Sequence, residues 1–403
     1  MFKSKAGAEL QINLTAIADN WLAMRNLLKN ENEKGICAAV VKADSYGLGV
    51  EKIAPVLYKA GCRDFFVAYL SEGVDLRQMI GKDSRIFAIH GNFAGEEKYF
   101  DEYDIIPVLN NSQQIQSWRE YNKKAGKKLP CALHFDTGMT RLGISANERE
   151  KLLADVRLLK GLNITLVMSH LSDGGDGGKK SGKSNRQLEL FKKIKESICE
   201  KLDYTPLFSL SASAGMLIGG EYMFDLTRPG ACIYGFFPDE ISDKVVLRNV
   251  VSLKASVLQI QSTTVGQTVG YGSSYTFTRE GKVLTAALGY ADGFFRALSG
   301  KGSGWIDGYK LPIIGRISMD LTTFDASDVP DDVLANNNEI EIIGEHISLN
   351  ELAECAGTIP YEIITDLGRR YQRLYTEDDL SVDNTAAEQS ISGADFDKTG
   401  SGV

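Results

Sequence analysis

Residues 38–50 read AAVVKADSYGLGV. An unbroken apolar run ends in one lysine, Lys42, and then breaks into a glycine-punctuated turn. A short, continuous apolar run bounded by turn residues reads as a strand buried on both faces. Burying an ammonium is costly unless it is paired or neutralised. Either Lys42 carries its head out to water, or some chemistry consumes its charge.

Similar runs recur along the chain: ICAAVVK (36–42), FFVAY (65–69), RIFAI (85–89), IIPVL (105–109), ALHFD (132–136), ITLVMSH (164–170) and LFSLSAS (207–213). MFDLTR (223–228) makes an eighth. Helix-like stretches separate most of them, such as EKIAPVLYKAG and SEGVDLRQMIG. NRQLELFKKIKESICEKL places Leu188, Phe191, Ile194, Ile198 and Leu202 on one helical face. An opening helix, LTAIADNWLAMRNLLKN, precedes the first run. Strands alternating with helices imply a parallel sheet, and eight such units fit a (β/α)8 barrel over residues 8–240. After about residue 240 the pattern turns to apolar–polar alternation with Gly, Ser and Thr breaks, so residues 241–376 read as a mainly β domain. Two short helices are expected within it: SLNELAECAG, opened by a Ser-x-x-Glu capping box, and PYEIITDLG. Residues 377–403 are acidic and poor in core formers, and read as a mobile tail.

Composition narrows the function classes. The 403 residues are 43% hydrophobic and 24% charged, with a formal net charge of -8. An acidic chain has no general affinity for nucleic acid or anionic membranes. No apolar stretch approaches the roughly 20 residues of a membrane span. The N-terminus lacks the apolar segment of a signal peptide, so a cytoplasmic protein is expected. The six cysteines are scattered, with no CxxC or Cys/His cluster, and read as reduced thiols rather than a metal site.

In a barrel of this kind, ligands gather at the C-terminal ends of the strands. Lys42, Asp136, His170 and Ser213 fall at four such ends. Singly, each has an ordinary explanation: a rim lysine, a turn-shaping aspartate, a packed histidine, a helix cap. Together they suit one cofactor. A desolvated lysine is a neutral nucleophile able to condense with a carbonyl, as pyridoxal phosphate (PLP) requires. The segments SASAG (211–215) and RPGACIYG (228–235) supply small residues and helix-start N–H groups for a phosphate, beside Arg228.

The stretch AVVKADSYGLG resembles the PLP-attachment motif of the alanine racemase family. DTGMTRLG, RPGACIYG, VGYGSSY, GYADG, GRISMD and PYEIITDLGRR match further family segments in order, over about residues 8–376. The resemblance implies a (β/α)8 barrel followed by a β domain, PLP carried on Lys42, and interconversion of L- and D-alanine that supplies D-alanine for peptidoglycan. It assigns Lys42 as the base acting on the D-enantiomer, and Tyr271 of the partner subunit as the base acting on the L-enantiomer. An obligate homodimer follows. Arg228 would pair with the pyridine nitrogen, and His170 would buttress Arg228. Tyr46, Ser213, Gly230, Ala231 and Tyr361 would hold the phosphate. Arg141 and the N–H of Met319 would hold the substrate carboxylate. Tyr290 would line the entry route, and Asp320 would anchor the Met319 loop.

Three positions depart from the common family pattern. His134 stands where many members carry a carbamylated lysine that supports the substrate-binding arginine, so Arg141 needs other support here. Leu48 and Ala212 replace a frequent histidine and asparagine. The loop at 171–185 is also unusually rich in Gly and Lys, and reads as mobile. A serine or broad-specificity racemase is the nearest alternative. A PLP-binding homologue without catalysis and a decarboxylase of the same fold are more distant ones.

Overall fold

The computed structural model describes residues 6–173, 182–236 and 245–378. The Gly/Lys-rich part of the 171–185 loop and nearly all of the acidic tail lie outside the described residues.

Seven parallel strands run in chain order: Ala39–Val40, Asp64–Val67, Arg85–Ala88, Ile106–Leu109, Pro130–His134, Asn163–Met168 and Leu207–Ser209. The eighth, Leu226–Thr227, closes the ring. On one side it pairs with Ile36–Cys37, and the Ala38 and Val40 N–H groups donate to the Thr227 and Pro229 carbonyls (2.9 and 3.0 Å). On the other side the Asp225 and Arg228 N–H groups donate to Phe208 and Ser211 (both 3.0 Å). All eight apolar runs therefore become barrel strands.

The period-two geometry of a strand explains why these runs are apolar throughout. One set of residues points into the barrel, where Ala38, Val40, Phe66, Phe87, Val108, Ala132 and Leu166 form a closed cluster. The alternate set, including Ala39, Phe65, Ile86, Leu133 and Val167, faces the surrounding helices. The helix Leu14–Glu31 starts on an Asn13 side chain that accepts the Ala16 N–H (2.9 Å). The helix Gly182–Lys201 buries Leu188, Phe191, Ile194 and Ile198, the face expected from its spacing.

The β domain is built around the long strand Val251–Thr263, flanked by Gly281–Ala286 and Glu339–Ile343. One expectation is corrected here. The strand Ala8–Asn13, placed with the barrel on sequence grounds, joins this β sheet instead. It pairs antiparallel with Val251–Thr263 and parallel with Gln372–Thr376. Its alternation buries Ala8, Leu10 and Ile12 on one face only, the mark of a sheet with one solvated side. The capping box at Ser348 forms by half. The Ser348 hydroxyl accepts the Glu351 N–H (3.1 Å), but the Glu351 carboxylate turns to Lys310 (2.6 Å).

The β domain also braces the Lys42 loop. Arg373 donates to the Gly47 carbonyl (2.6 Å) and the Tyr375 hydroxyl donates to that of Leu48 (3.0 Å).

Candidate active site

Directly after Lys42 the backbone does something unusual. Ala43, Asp44, Ser45 and Tyr46 all have φ between 52° and 58°, a full left-handed turn without a glycine until Gly47. Each L-residue in this region costs about 1–2 kcal/mol, so the turn persists only because its surroundings hold it. Glu72 accepts the Ala43 N–H (2.9 Å) and, with its other oxygen, the Ala68 N–H (2.6 Å). Asp44 accepts the Val50 N–H (2.7 Å). The turn sets Lys42 and Tyr46 side by side at one cavity.

That cavity, about 710 Å³, opens at the C-terminal mouth of the barrel. It gathers Lys42, Tyr46, Arg141, His170, Ser213, Arg228, Gly230, Ala231 and Tyr361 from six separate stretches of the chain. Lys42 makes no hydrogen bond or ion pair among the described residues. Burial, reinforced by the charge of Arg141, pushes its ammonium below the usual lysine range, against the opposing pull of Glu72.

Arg228 is fully buried. Its guanidinium donates to the carbonyls of Ser209 (3.1 Å), Ser169 (2.6 Å) and Leu210 (3.3 Å), and to the Ser209 hydroxyl. It has no carboxylate partner among the described residues. Burial draws its pKa down to about 9, so it remains a cation at neutral pH. No hydrogen bond joins it to His170 among the described residues; Ser209 and the neighbouring carbonyls do the holding that was expected of that histidine.

Beside Arg228, the Ser213 hydroxyl accepts the N–H groups of Gly230 (3.0 Å) and Cys232 (3.2 Å), tying two loops together. The first N–H groups of the helix Ser213–Ile218 stay without an intrahelical partner, as at any helix start. Gly230 lies against Tyr46: a Cβ there would overlap the tyrosine hydroxyl. The Tyr46 ring packs 4.6 Å from that of Tyr234 and meets Tyr361 edge-on at 6.2 Å. Burial pushes the Tyr361 phenol up to about 12, so both phenols are hydrogen-bond donors at neutral pH.

Arg141 sits on a turn shaped by Asp136, whose carboxylate accepts the N–H groups of Gly138, Met139 and Thr140 (2.8, 3.0 and 3.1 Å). Asp136 thus plays the turn-shaping part. Arg141 itself has no ion pair among the described residues.

His134 shows why. Asn110 donates its Nδ2 to the carbonyls of Ile89 (2.9 Å) and Val108 (2.7 Å), which fixes Oδ1 as the acceptor toward His134 Nδ1 (2.8 Å). His134 is then the Nδ1–H tautomer, with the Nε2 lone pair left over. Burial, helped by the charge of Arg228, lowers its pKa to about 3. A neutral imidazole brings no negative charge to Arg141.

This has a consequence for stability. The folded pKa lies below the ordinary histidine value of 6.5, so between the two the unfolded chain binds a proton that the folded chain does not. Stability is complete above pH 6.5 and declines as pH falls toward 3, by up to about 1.4 kcal/mol per pH unit for this histidine. Urea midpoints at pH 7.5 and 5 should therefore diverge less in His134→Asn than in the unmodified protein. Equal divergence would show that His134 is not held neutral.

Three expected residues lie elsewhere. Tyr271, in the turn Tyr271–Ser273 of the β domain, is 73% exposed, and Met319 is 53% exposed. Neither lines the cavity. Tyr290 is also exposed, on a loop whose Tyr290 and Ala291 N–H groups donate to the Ser318 and Met319 carbonyls (3.1 and 2.9 Å). Asp320 pins the Met319 loop through Arg370 (2.7 Å). Glu72, Asn110 and Ser209 were missed from sequence. Asn110 and Ser209 carried a usable signal, since both are polar residues at or just past the end of a barrel strand.

Residues 12–238 match the family model for the N-terminal domain of alanine racemase, and residues 250–375 match that for its C-terminal domain. The chain belongs to the alanine racemase family. The alanine racemase of Brucella canis is 41% identical over 382 residues, covering 92% of this chain and 94% of that one. The alanine racemase of Rickettsia akari is 40% identical over 370 residues, covering 91% and 99%. A crystal structure of the Bartonella henselae alanine racemase with covalently bound pyridoxal phosphate has a TM-score of 0.83 and 36% identity, over 92% of this chain and all of that one.

The family enzymes depend on PLP, and this chain is a PLP-dependent enzyme of that family. The cavity fits the cofactor on its own terms: an unpaired lysine, a buried guanidinium without a carboxylate, and a glycine cradle facing helix-start amides. No helix among the described residues is long and apolar enough to cross a membrane.

Proposed function

We propose that this protein interconverts L- and D-alanine by a two-base mechanism, with Lys42 on one face of the substrate and the partner subunit's Tyr271 on the other, and that it supplies D-alanine for peptidoglycan. The observation that carries the reading is the charge imbalance of the cavity. Lys42, Arg141 and Arg228 converge there, and none makes an ion pair among the described residues. Such a site awaits an anionic cofactor and a carboxylate substrate.

Lys42 would hold PLP covalently, Ser213, Gly230, Ala231, Tyr46 and Tyr361 its phosphate, and Arg228 its ring nitrogen. Bound there, the cofactor acidifies the substrate Cα–H by accepting electron density. Arg228 donates without giving up its proton, which keeps the ring nitrogen unprotonated and the electron sink weak. Arg141 and the Met319 N–H orient the substrate carboxylate. Lys42 Nζ, with its pKa lowered by burial, exchanges the α-proton on one face. Racemisation needs a second group on the opposite face, and among the described residues no tyrosine other than Tyr46 and Tyr361 lines this cavity. Tyr271 is exposed in a region that also exposes Met319, Tyr290 and Leu321, as expected of a face that meets a second copy. The protein is therefore a homodimer with shared sites in this reading.

Incubation of the PLP-loaded protein with L-alanine, followed by chiral chromatography, should yield equal amounts of both enantiomers. Absence of D-alanine would overturn the reading. Faster racemisation of serine than of alanine would overturn the substrate assignment alone.

A further inference from the structure

One guanidinium joins two sides of the barrel-mouth site from outside the cavity. Arg373 lies on the strand Gln372–Thr376 of the β domain and forms no ion pair among the described residues. Its Nη1 donates to the Gly47 carbonyl (2.6 Å), and its Nη2 donates to the carbonyls of Leu367 and Gly368 (both 3.3 Å). Gly47 ends the left-handed turn that holds Lys42 and Tyr46. Leu367 and Gly368 directly follow the helix Pro360–Asp366, which carries Tyr361 in its first turn. Arg373 therefore grips the Tyr46 side and the Tyr361 side at once.

The grip matters because neither side holds itself. The turn at residues 43–46 is left-handed without a glycine, a conformation that costs energy at every residue and persists only when its surroundings impose it. Its N–H groups are satisfied locally: those of Ser45, Gly47 and Gly49 donate to Val41, Ala43 and Asp44 (2.9, 2.7 and 2.9 Å). The Gly47 carbonyl is instead taken by Arg373, 326 positions along the chain. The helix Pro360–Asp366 has seven residues, too few to stay folded alone in water. Turn and helix also press on each other, since a Cβ at Gly47 would lie 2.7 Å from the Ile364 carbonyl. A planar guanidinium fork can bridge acceptors on two segments, and an ammonium lacks that fork.

We infer that Arg373 is a positioning residue for the cofactor phosphate: it fixes the spacing between Tyr46 and Tyr361, whose rings meet edge-on at 6.2 Å. Arg373 does not line the cavity, so it acts through the two tyrosines and not by contact with the cofactor. The inference rests on the reading that Tyr46 and Tyr361 hold the phosphate of a cofactor carried on Lys42.

The test loads the full-length chain with PLP or with pyridoxal, which lacks the phosphate. Cofactor absorbance reports the free concentration at which half of the sites are filled, and the ratio of the two concentrations measures the preference for phosphate. Arg373→Lys should reduce that preference at least about tenfold. A general loss of stability would weaken both cofactors alike and leave the ratio unchanged. In a double-mutant cycle, Arg373→Lys should remove far less of the preference once Tyr46→Phe and Tyr361→Phe are already in place. Arg373→Gln serves if Arg373→Lys does not fold, and should show the same loss, because a short amide cannot span the three carbonyls. A ratio within about twofold of the parent in the variant that folds, or an undiminished loss in the cycle, would overturn the inference. A parent-like ratio in the Tyr46→Phe/Tyr361→Phe variant itself would instead overturn the phosphate assignment beneath it.

Discussion

A Lys42→Ala variant is expected to lose racemisation and covalent cofactor together. Among the described residues Lys42 is the only lysine lining the barrel-mouth cavity. It would serve both as the attachment point and as one of the two proton-exchanging groups. Loss of a positioned acid–base group alone lowers rates by about 10²–10⁴-fold; losing the covalent anchor as well should carry the effect beyond that range. The fold should survive. The Lys42 side chain makes no hydrogen bond among the described residues, and the left-handed turn is held by Glu72 and Asp44 through backbone N–H groups. Borohydride reduction and peptide mapping provide a readout independent of activity. Cofactor should be trapped on residue 42 in the parent and nowhere in the variant. Trapping of cofactor at another lysine in the variant, with activity retained, would sink the assignment.

The barrel was legible because its signals are local. Each strand is buried on both faces and so reads as an apolar run, and four of the runs end in the polar residues Lys42, Asp136, His170 and Ser213. Even the two-residue strand Leu226–Thr227 could be read, as the short run MFDLTR at 223–228 that makes the eighth unit. The strand Ala8–Asn13 was misplaced because sequence order favours neighbours, whereas its partners lie at Val251–Thr263 and Gln372–Thr376, across the length of the chain. Alternation tells that a strand has one buried face and does not tell which sheet it joins.

The site divides in the same way. Lys42, Arg228 and Ser213 follow strands directly, and their motifs carry their positions. What holds them was not legible. The left-handed turn at residues 43–46 contains no glycine to announce it, and its anchor, Glu72, lies 29 residues from Ala43. The tautomer of His134 depends on the orientation of Asn110, which depends in turn on two carbonyls from neighbouring strands. Such dependence on third parties arises only in three dimensions. It also changes the meaning of the departure at His134: the residue is a neutral, hydrogen-bonded part of the barrel wall, and among the described residues Arg141 has no ion pair.

Mixing two inactive variants should restore activity, and this decides where the second base comes from. Tyr271→Phe keeps the aromatic ring and removes the hydroxyl, so its racemisation should fall about 10²–10⁴-fold in both directions while cofactor remains attached to Lys42. Lys42→Ala should be inactive for the reasons above. In a heterodimer of the two, a shared site pairs Lys42 from one chain with Tyr271 from the other. One of its two sites is then intact and the other lacks both groups. Random exchange of subunits makes half the dimers mixed, so the mixture should recover about a quarter of the parent activity. If Tyr271 served its own chain, every site in the heterodimer would lack one group, and mixing would recover nothing. The geometry favours the first outcome: Tyr271 is 73% exposed and absent from the cavity that holds Lys42. An exposed tyrosine on a glycine-flanked turn, with Gly270 and Gly272 both at positive φ, is a side chain presented outward, and in the proposed dimer a second copy of the chain would supply the cavity that it enters.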